Sequence, residues 1–299
     1  MLPFFPSPYP DELFFSVCSR FHVRSCNDKT ETTCLQLLGC KTSRLYDFPR
    51  GLHVLGKRLP EETLNTVQQL VYGTTMFPLY KPFISSTIAR MLYDYMVVDQ
   101  VGCHAPTIHN VLVVNKISLR CCPACFYADL DLYGEAYWHR SHQVYGVRTC
   151  HKHREWLRQT HVIGVELSPL TENMLRQAIS LQDDKPVHHL HRIAASVHWL
   201  LNHNDVMGSN ILSTRCRLLR VLKNTCSFLG GIVYRSLEWD IRRFYGEAIS
   251  EMIFRMERIE SFLEDLVTNC HMKHHPLYHI LLINFLGLSC GEIITNART

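Results

Sequence analysis

Apolar residues recur at helical spacing along most of this chain. Leu13, Phe14, Val17, Cys18 and Phe21 share one face of a first helix, which Asp11 is placed to cap and Glu12 to open with a favourable negative charge. A second helix is expected from Pro60 to Tyr72, with Pro60 at its start and Glu61 and Glu62 in its first turn. Leu190, Ile193, Ala194, Val197, Leu200 and Leu201 predict an amphipathic helix over Val187 to Asn202. A further helical block runs from Ile241 through Phe244, Tyr245, Ala248, Met252 and Met256 to Ile259. Between these two, Asn202 to Asn210 reads as a polar linker. Ahead of everything, Leu2 to Pro10 carries four prolines, which remove donors and restrict their predecessors, so it reads as an extended arm. No strand-rich or repeated pattern stands out. The fold class is mainly α, and the short helices of the first hundred residues suggest a helix-turn-helix type of domain.

Composition narrows the class. At 299 residues the chain has room for two or three small domains. It has 13 cysteines, and no basic segment followed by an apolar run at its start; this fits reducing cytoplasm rather than a secreted disulfide scaffold. No apolar stretch reaches the roughly 18 residues of a membrane span, Ile280 to Leu288 being the longest. A formal charge of +4 permits contact with nucleic acid without requiring it.

The sharpest chemistry lies in Cys122-Pro123-Ala124-Cys125, answered by Cys150-His151-Lys152-His153. Two chelating pairs at this spacing suit a closed, four-ligand zinc site of structural type, Cys122, Cys125, Cys150 and His153. Cys121 is an alternative to Cys122, and His151 to His153; the first register gives both pairs two intervening residues. A base deaminase would need an upstream His-x-Glu and a proline before its first cysteine, and this chain has neither arrangement. His188, His189 and His191 have no cysteine or acidic pair near them in sequence to complete a second site. Around the cysteines, Arg140, Arg148, Lys152, Arg154 and Arg158 interleave with Tyr137, Trp138, Tyr145 and Trp156, a pattern that suits either phosphate contacts or the small core and solvated rim of a zinc knuckle. Arg235, Arg242 and Arg243 add a second basic cluster. No phosphate-cradling glycine loop, hydrolase elbow or two-metal carboxylate pattern is present, so no catalytic residue is assigned.

Four segments together resemble one family. Pro8-Tyr9-Pro10-Asp11-Glu12-Leu13 with Ser16 and Arg20, and Thr75 to Phe83, come first. Cys122 to His153 follows, with Gly134-Glu135-x-Tyr137-Trp138-x-Arg140-x-His142-Gln143 inside it, and then Phe244-Tyr245-Gly246 with Lys273-His274-His275-Pro276-Leu277-x-His279. In this order they resemble the TniQ/TnsD proteins, target-selection subunits of heteromeric bacterial DNA transposons. The resemblance implies a non-enzymatic adaptor of the bacterial cytoplasm. Such an adaptor recognises target DNA, or docks on a CRISPR Cascade-type guide complex that does so, and recruits the AAA+ ATPase TnsC; self-association is a further expectation.

It also suggests a layout: residues 1–110 as arm and helical domain, 111–165 as zinc-finger segment, and 166–299 as a C-terminal helical domain. Phe4, Phe5, Tyr9, Asp11 and Glu12 are then candidates for the partner surface, and Arg140, Arg148, Lys152, Arg235, Arg242 and Arg243 for DNA. His151 and Arg154 stand where the family has proline and glycine, and neither change touches a ligand. Long members continue well beyond the point matching Thr299, so sequence-specific readout by this chain alone is not expected. Two other classes fit the residues: a dimeric zinc-containing transcriptional regulator, and a zinc-stapled interaction module without DNA contact.

Overall fold

The computed structural model describes residues 1–295 apart from 42–44, 60–65, 99–117, 164–165, 183–186, 204–210, 226–232, 247–249, 251–258 and 269–273. The described chain is mainly helical, as the periodicity predicts. Among these residues no helix is long and apolar enough to cross a membrane.

The first helix, Phe14–Arg24, buries Phe14, Phe15, Val17, Cys18 and Phe21. Asp11 does not cap it. The N-cap is Leu13, without a side-chain bond, and Asp11 sits in the left-handed region at φ 56°. Its carboxylate is drawn away to Ser141, as described below. The second predicted helix also starts later than expected, at Val67, where Thr66 and Gln69 form a reciprocal capping box, and it runs to Thr74; the proposed start at Pro60 lies outside the described residues.

A short stack follows, Phe77–Tyr80, a 3₁₀ turn Lys81–Phe83 and Ser86–Val97. The predicted Val187–Asn202 helix has those bounds, and all six of its predicted core residues are buried. The later block is interrupted: Val233–Tyr245 ends at Gly246, whose φ of 80° only glycine adopts cheaply, and Ile259 opens the helix Ile259–Thr268. Of the linker expected over Asn202 to Asn210, Asn202 is the last residue of the Val187–Asn202 helix, and 204–210 lie outside the described residues.

A small antiparallel sheet was not expected. Its order is β1 (Ser118–Cys121), β2 (Arg158–Ile163), β3 (Ile179–Ser180), and it closes the central segment, with the helix Pro123–Tyr133 between the first two strands. Runs of two to six residues are too short to display a period of two in sequence.

The C-terminal helix Pro276–Phe285 packs against both earlier parts. Phe83 stacks on His279 at 4.4 Å, and Tyr80 meets His275 edge-on at 5.5 Å. Leu277 covers Gly146, whose φ is 84° and where a Cβ would stand 2.5 Å from Leu277 Cδ2. The second and fourth of the family-like segments are therefore in contact.

His275 caps this helix through an acceptor nitrogen, Nδ1, which receives Leu277 N–H at 3.1 Å. Protonation would turn that acceptor into a donor, and burial pushes the imidazole down to about 4. The unfolded chain takes up this proton near pH 6.5, so the native state loses stability as pH falls from there to about 4, by on the order of 3 kcal/mol. His275→Asn keeps a capping acceptor that does not titrate. Its unfolding free energy, measured between pH 7 and 4, should fall with a slope smaller by about one proton than that of the parent.

Candidate metal centre and the latch around it

Cys122 is the residue before the helix Pro123–Tyr133, with Pro123 in its first turn, and Cys125 lies one turn in. The second pair sits on a tight turn, where Cys150 N–H donates to Glu155 O and Arg154 N–H to Cys150 O, with Arg154 at φ 60°. Thr149 and Trp156 bridge across its base. These two turns bring Cys122, Cys125, Cys150 and His153 together, their donor atoms all within 4.8 Å of one another. Cys125 Sγ stands 3.6 Å from Cys150 Sγ, and His153 Nδ1 lies 3.5, 3.3 and 3.8 Å from the sulfurs of Cys122, Cys125 and Cys150. Zinc bond lengths in a tetrahedron imply edges of about 3.5–3.8 Å, which these four distances approach, so the donor set could hold that ion.

The alternative ligands stand outside this four-donor set. Cys121 is a buried strand residue, its thiol pushed up to about 12 by burial. His151 stacks on His198 at 3.6 Å. A three-residue group, His142, Cys150 and His151, shares Cys150 with the four-donor set, and His142 lies against that sulfur.

Three thiols this close resist ionising together. Hydrogen bonds from Cys122 and Cys125 hold Cys150 well below an ordinary thiol. Bonds to Cys122 and Cys150, with burial, push Cys125 upward. Cys122 reaches about 12 because its bond to Cys150 and its burial outweigh the pull of Cys125. A divalent cation removes this conflict by stabilising all three thiolates.

The centre is surrounded by a latch built from the first and third family-like segments. Leu13 N–H donates to Trp138 O at 2.9 Å and Arg140 N–H to Asp11 O at 2.6 Å, clamping the end of the arm to the centre. Glu12 is fully buried and receives Tyr9 N–H, Ser16 Oγ–H and Arg20 Nη1, each at 2.8 Å. Arg20 also reaches Glu135 at 2.9 Å, which accepts Tyr9 O–H at 2.8 Å, while the guanidinium covers the Tyr9 ring at 3.9 Å.

Arg140 lies deeper, 1% exposed. It donates to the carbonyls of Tyr72 and Thr75 at 2.8 Å and of Leu201 at 3.0 Å, and pairs with Asp11 at 3.5 Å. Asp11 in turn accepts Ser141 N–H and Oγ–H. Burial alone would raise the Asp11 carboxyl, but Arg140, His139 and Ser141 together lower it.

Several of the expected contact residues thus lie inside the fold. Arg140 is not available to a phosphate, because its guanidinium is buried and spent on carbonyls of this chain. Asp11 and Glu12 are buried on internal partners and offer no partner surface. The arm is not free-standing: Phe5 is buried, Phe4 packs on Phe21 at 5.1 Å, and Tyr9 lies between Tyr133 and Tyr137 at 4.3 and 5.0 Å.

Arg148 donates to Leu181 O beside Trp156, and Arg242 pairs with Glu238 at 2.7 Å. Lys152 and Arg243 are exposed, Arg243 over the ring of exposed Trp239. The side chain of Arg235 lies outside the described residues.

Sequence reasoning missed Arg120 and the buried pair His139–Asp129, at 2.8 Å. Arg120 donates to the carbonyls of Gln143, Val144 and Val147 and ties β1 to the turn before Cys150. Its neighbours in sequence, Leu119 and Cys121, gave no sign that its guanidinium would be spent on distant carbonyls.

Removing one partner of the Arg140–Asp11 pair leaves an uncompensated buried group. Arg140→Met should therefore cost about 3–5 kcal/mol in unfolding free energy, and Asp11→Asn less, because the amide still accepts from Ser141. Arg140→Met with unchanged stability would contradict the latch. For the metal, the protein should carry one zinc equivalent by elemental analysis. Cys150→Ser should lose it and unfold the central segment, whereas Cys121→Ser should retain it.

The family model TniQ matches residues 3–157, which takes in the arm, the N-terminal helices and the whole metal centre. A curated relative, "Transposon Tn7 transposition protein TnsD" of Escherichia coli, is 30% identical over 156 residues, covering 50% of this chain and 30% of the relative. The match thus spans under a third of that relative's length. With more than half of its residues inside the family match, the chain belongs to the TniQ family.

Proposed function

We propose that this chain is a target-selection adaptor of a bacterial DNA transposition system. It links target DNA, or a CRISPR Cascade-type complex bound to it, to the AAA+ ATPase TnsC. The observation that carries this reading is the family match over residues 3–157, with a relative whose name places it in transposition. A Cys₃His set leaves no open coordination position, which supports a structural zinc and a role without chemistry of its own.

In this reading residues 1–110 are the arm and helix-turn-helix-type domain, 111–165 the zinc-finger segment and 166–299 the C-terminal helical domain. The DNA backbone is met by exposed Lys152 and Arg154 beside the knuckle and by Arg243. TnsC is met by the outward edges of Phe4 and Tyr9, both half-buried on the chain's own core.

The purified chain should co-sediment with its cognate TnsC assembled on DNA with an ATP analogue. Failure of a folded, zinc-loaded chain to do so would sink the adaptor role. Neutralising Lys152, Arg154 and Arg243 together should flatten the dependence of log affinity on log salt by about one unit per lost phosphate contact. An unchanged slope would remove these residues from the DNA face.

A further inference from the structure

A second site lies away from the metal centre, in a cleft of about 390 Å³ between the Val187–Asn202 helix and the turn after Phe285. Arg192, Ser196 and Trp199 form one wall at helical spacing, and Asn284 and Glu292 stand among the residues of the other. Asn284 is 3% exposed. Its Oδ1 receives Ser196 Oγ–H at 3.2 Å, but its Nδ2 has no hydrogen-bond partner. A buried amide donor left unpaired is costly, so this group calls for an acceptor.

The other lining groups narrow the acceptor's identity. Glu292 uses one oxygen, Oε2, for both Ser289 N–H and Oγ–H at 2.6 and 2.7 Å, and its second oxygen can take a donor. Trp199 is half-buried and backed by His203, stacked at 4.7 Å and 13°, which makes it a fixed flat wall. Arg192 makes no ion pair or hydrogen bond among the described residues.

An acceptor beside a donor on one flat edge, with an anion attached, is the chemistry of a purine nucleotide. We infer that this cleft binds a purine nucleoside monophosphate. The base stacks on Trp199 between Asn284 and Glu292, and the phosphate meets Arg192. The inference does not depend on the transposition reading.

The test is calorimetric titration of the full, zinc-loaded chain with GMP, AMP and inorganic phosphate. At least one purine monophosphate should saturate a single site, and inorganic phosphate should bind far more weakly. Asn284→Asp keeps the acceptor for Ser196 but loses the donor, and should weaken binding by about tenfold or more. Arg192→Gln removes a half-buried charge that has no ion pair among the described residues, and should do the same in a variant shown to be folded.

No saturation by either purine at millimolar concentration, or equal affinity in a folded Arg192→Gln variant, would overturn the site. A short single-stranded purine oligonucleotide separates the two sources of such a ligand. Competition with the bound mononucleotide assigns the site to a strand of nucleic acid, and absence of competition to a free nucleotide.

Discussion

The arm, the central segment, an N-terminal helix and the Val187–Asn202 helix meet at one buried guanidinium. Arg140 belongs to the central segment, yet its acceptors are the carbonyls of Tyr72 and Thr75 at the end of an N-terminal helix, the carbonyl of Leu201 in the Val187–Asn202 helix and the carboxylate of Asp11 in the arm. Taking a charge out of water costs several kcal/mol, and only near-ideal pairing offsets it. The acceptors must therefore arrive together, which fixes the arm, the Val67–Thr74 helix and the Val187–Asn202 helix relative to the central segment. The left-handed backbone of Asp11 follows from the same demand, since that residue must turn its carbonyl to Arg140 N–H and its carboxylate to Ser141.

The cluster of Cys122, Cys125, Cys150 and His153 lies on the same central segment as Arg140. Arg140 and Cys150 lie ten residues apart on a segment that Arg120 and Gln143 bind to β1 from one side. His139 and His142 sit between the two sites, His139 paired with Asp129 and His142 packed against the Cys150 sulfur. Closure of the Cys₃His set around an ion would hold the helix Pro123–Tyr133 and the 150–153 turn together, and with them the segment that carries Glu135, Trp138 and Arg140. The family-like residues of the arm and of the central segment are thus two halves of one buried contact, in which the acidic and basic side chains pair with one another.

Much of this was legible in the sequence wherever a pattern is local. The spacing of Cys122, Cys125, Cys150 and His153 names the donor set, because chelation by a short turn is a local property. The Val187–Asn202 helix is legible because six apolar residues hold its period over sixteen positions. The strands are too short for a period, and Gly246 ends a helix within a continuing apolar pattern. Asp11 has the chemistry of a helix cap, but a buried arginine 129 residues away outcompetes that local role. Arg140 looks like a surface residue among other arginines; only its partners, far off in sequence, reveal that it is buried.

The claim most open to direct test is that the arm, the centre and the Val187–Asn202 helix hold together through the metal-framed latch. Hydrogen exchange, read by mass spectrometry on the zinc-loaded and chelated protein, addresses it. If the latch holds, chelation strips protection from residues 9–20, 134–157 and 187–202 at one common rate. Loss of protection confined to the residues around Cys122 to His153, with the arm and the helix still protected, would show that they hold together without it.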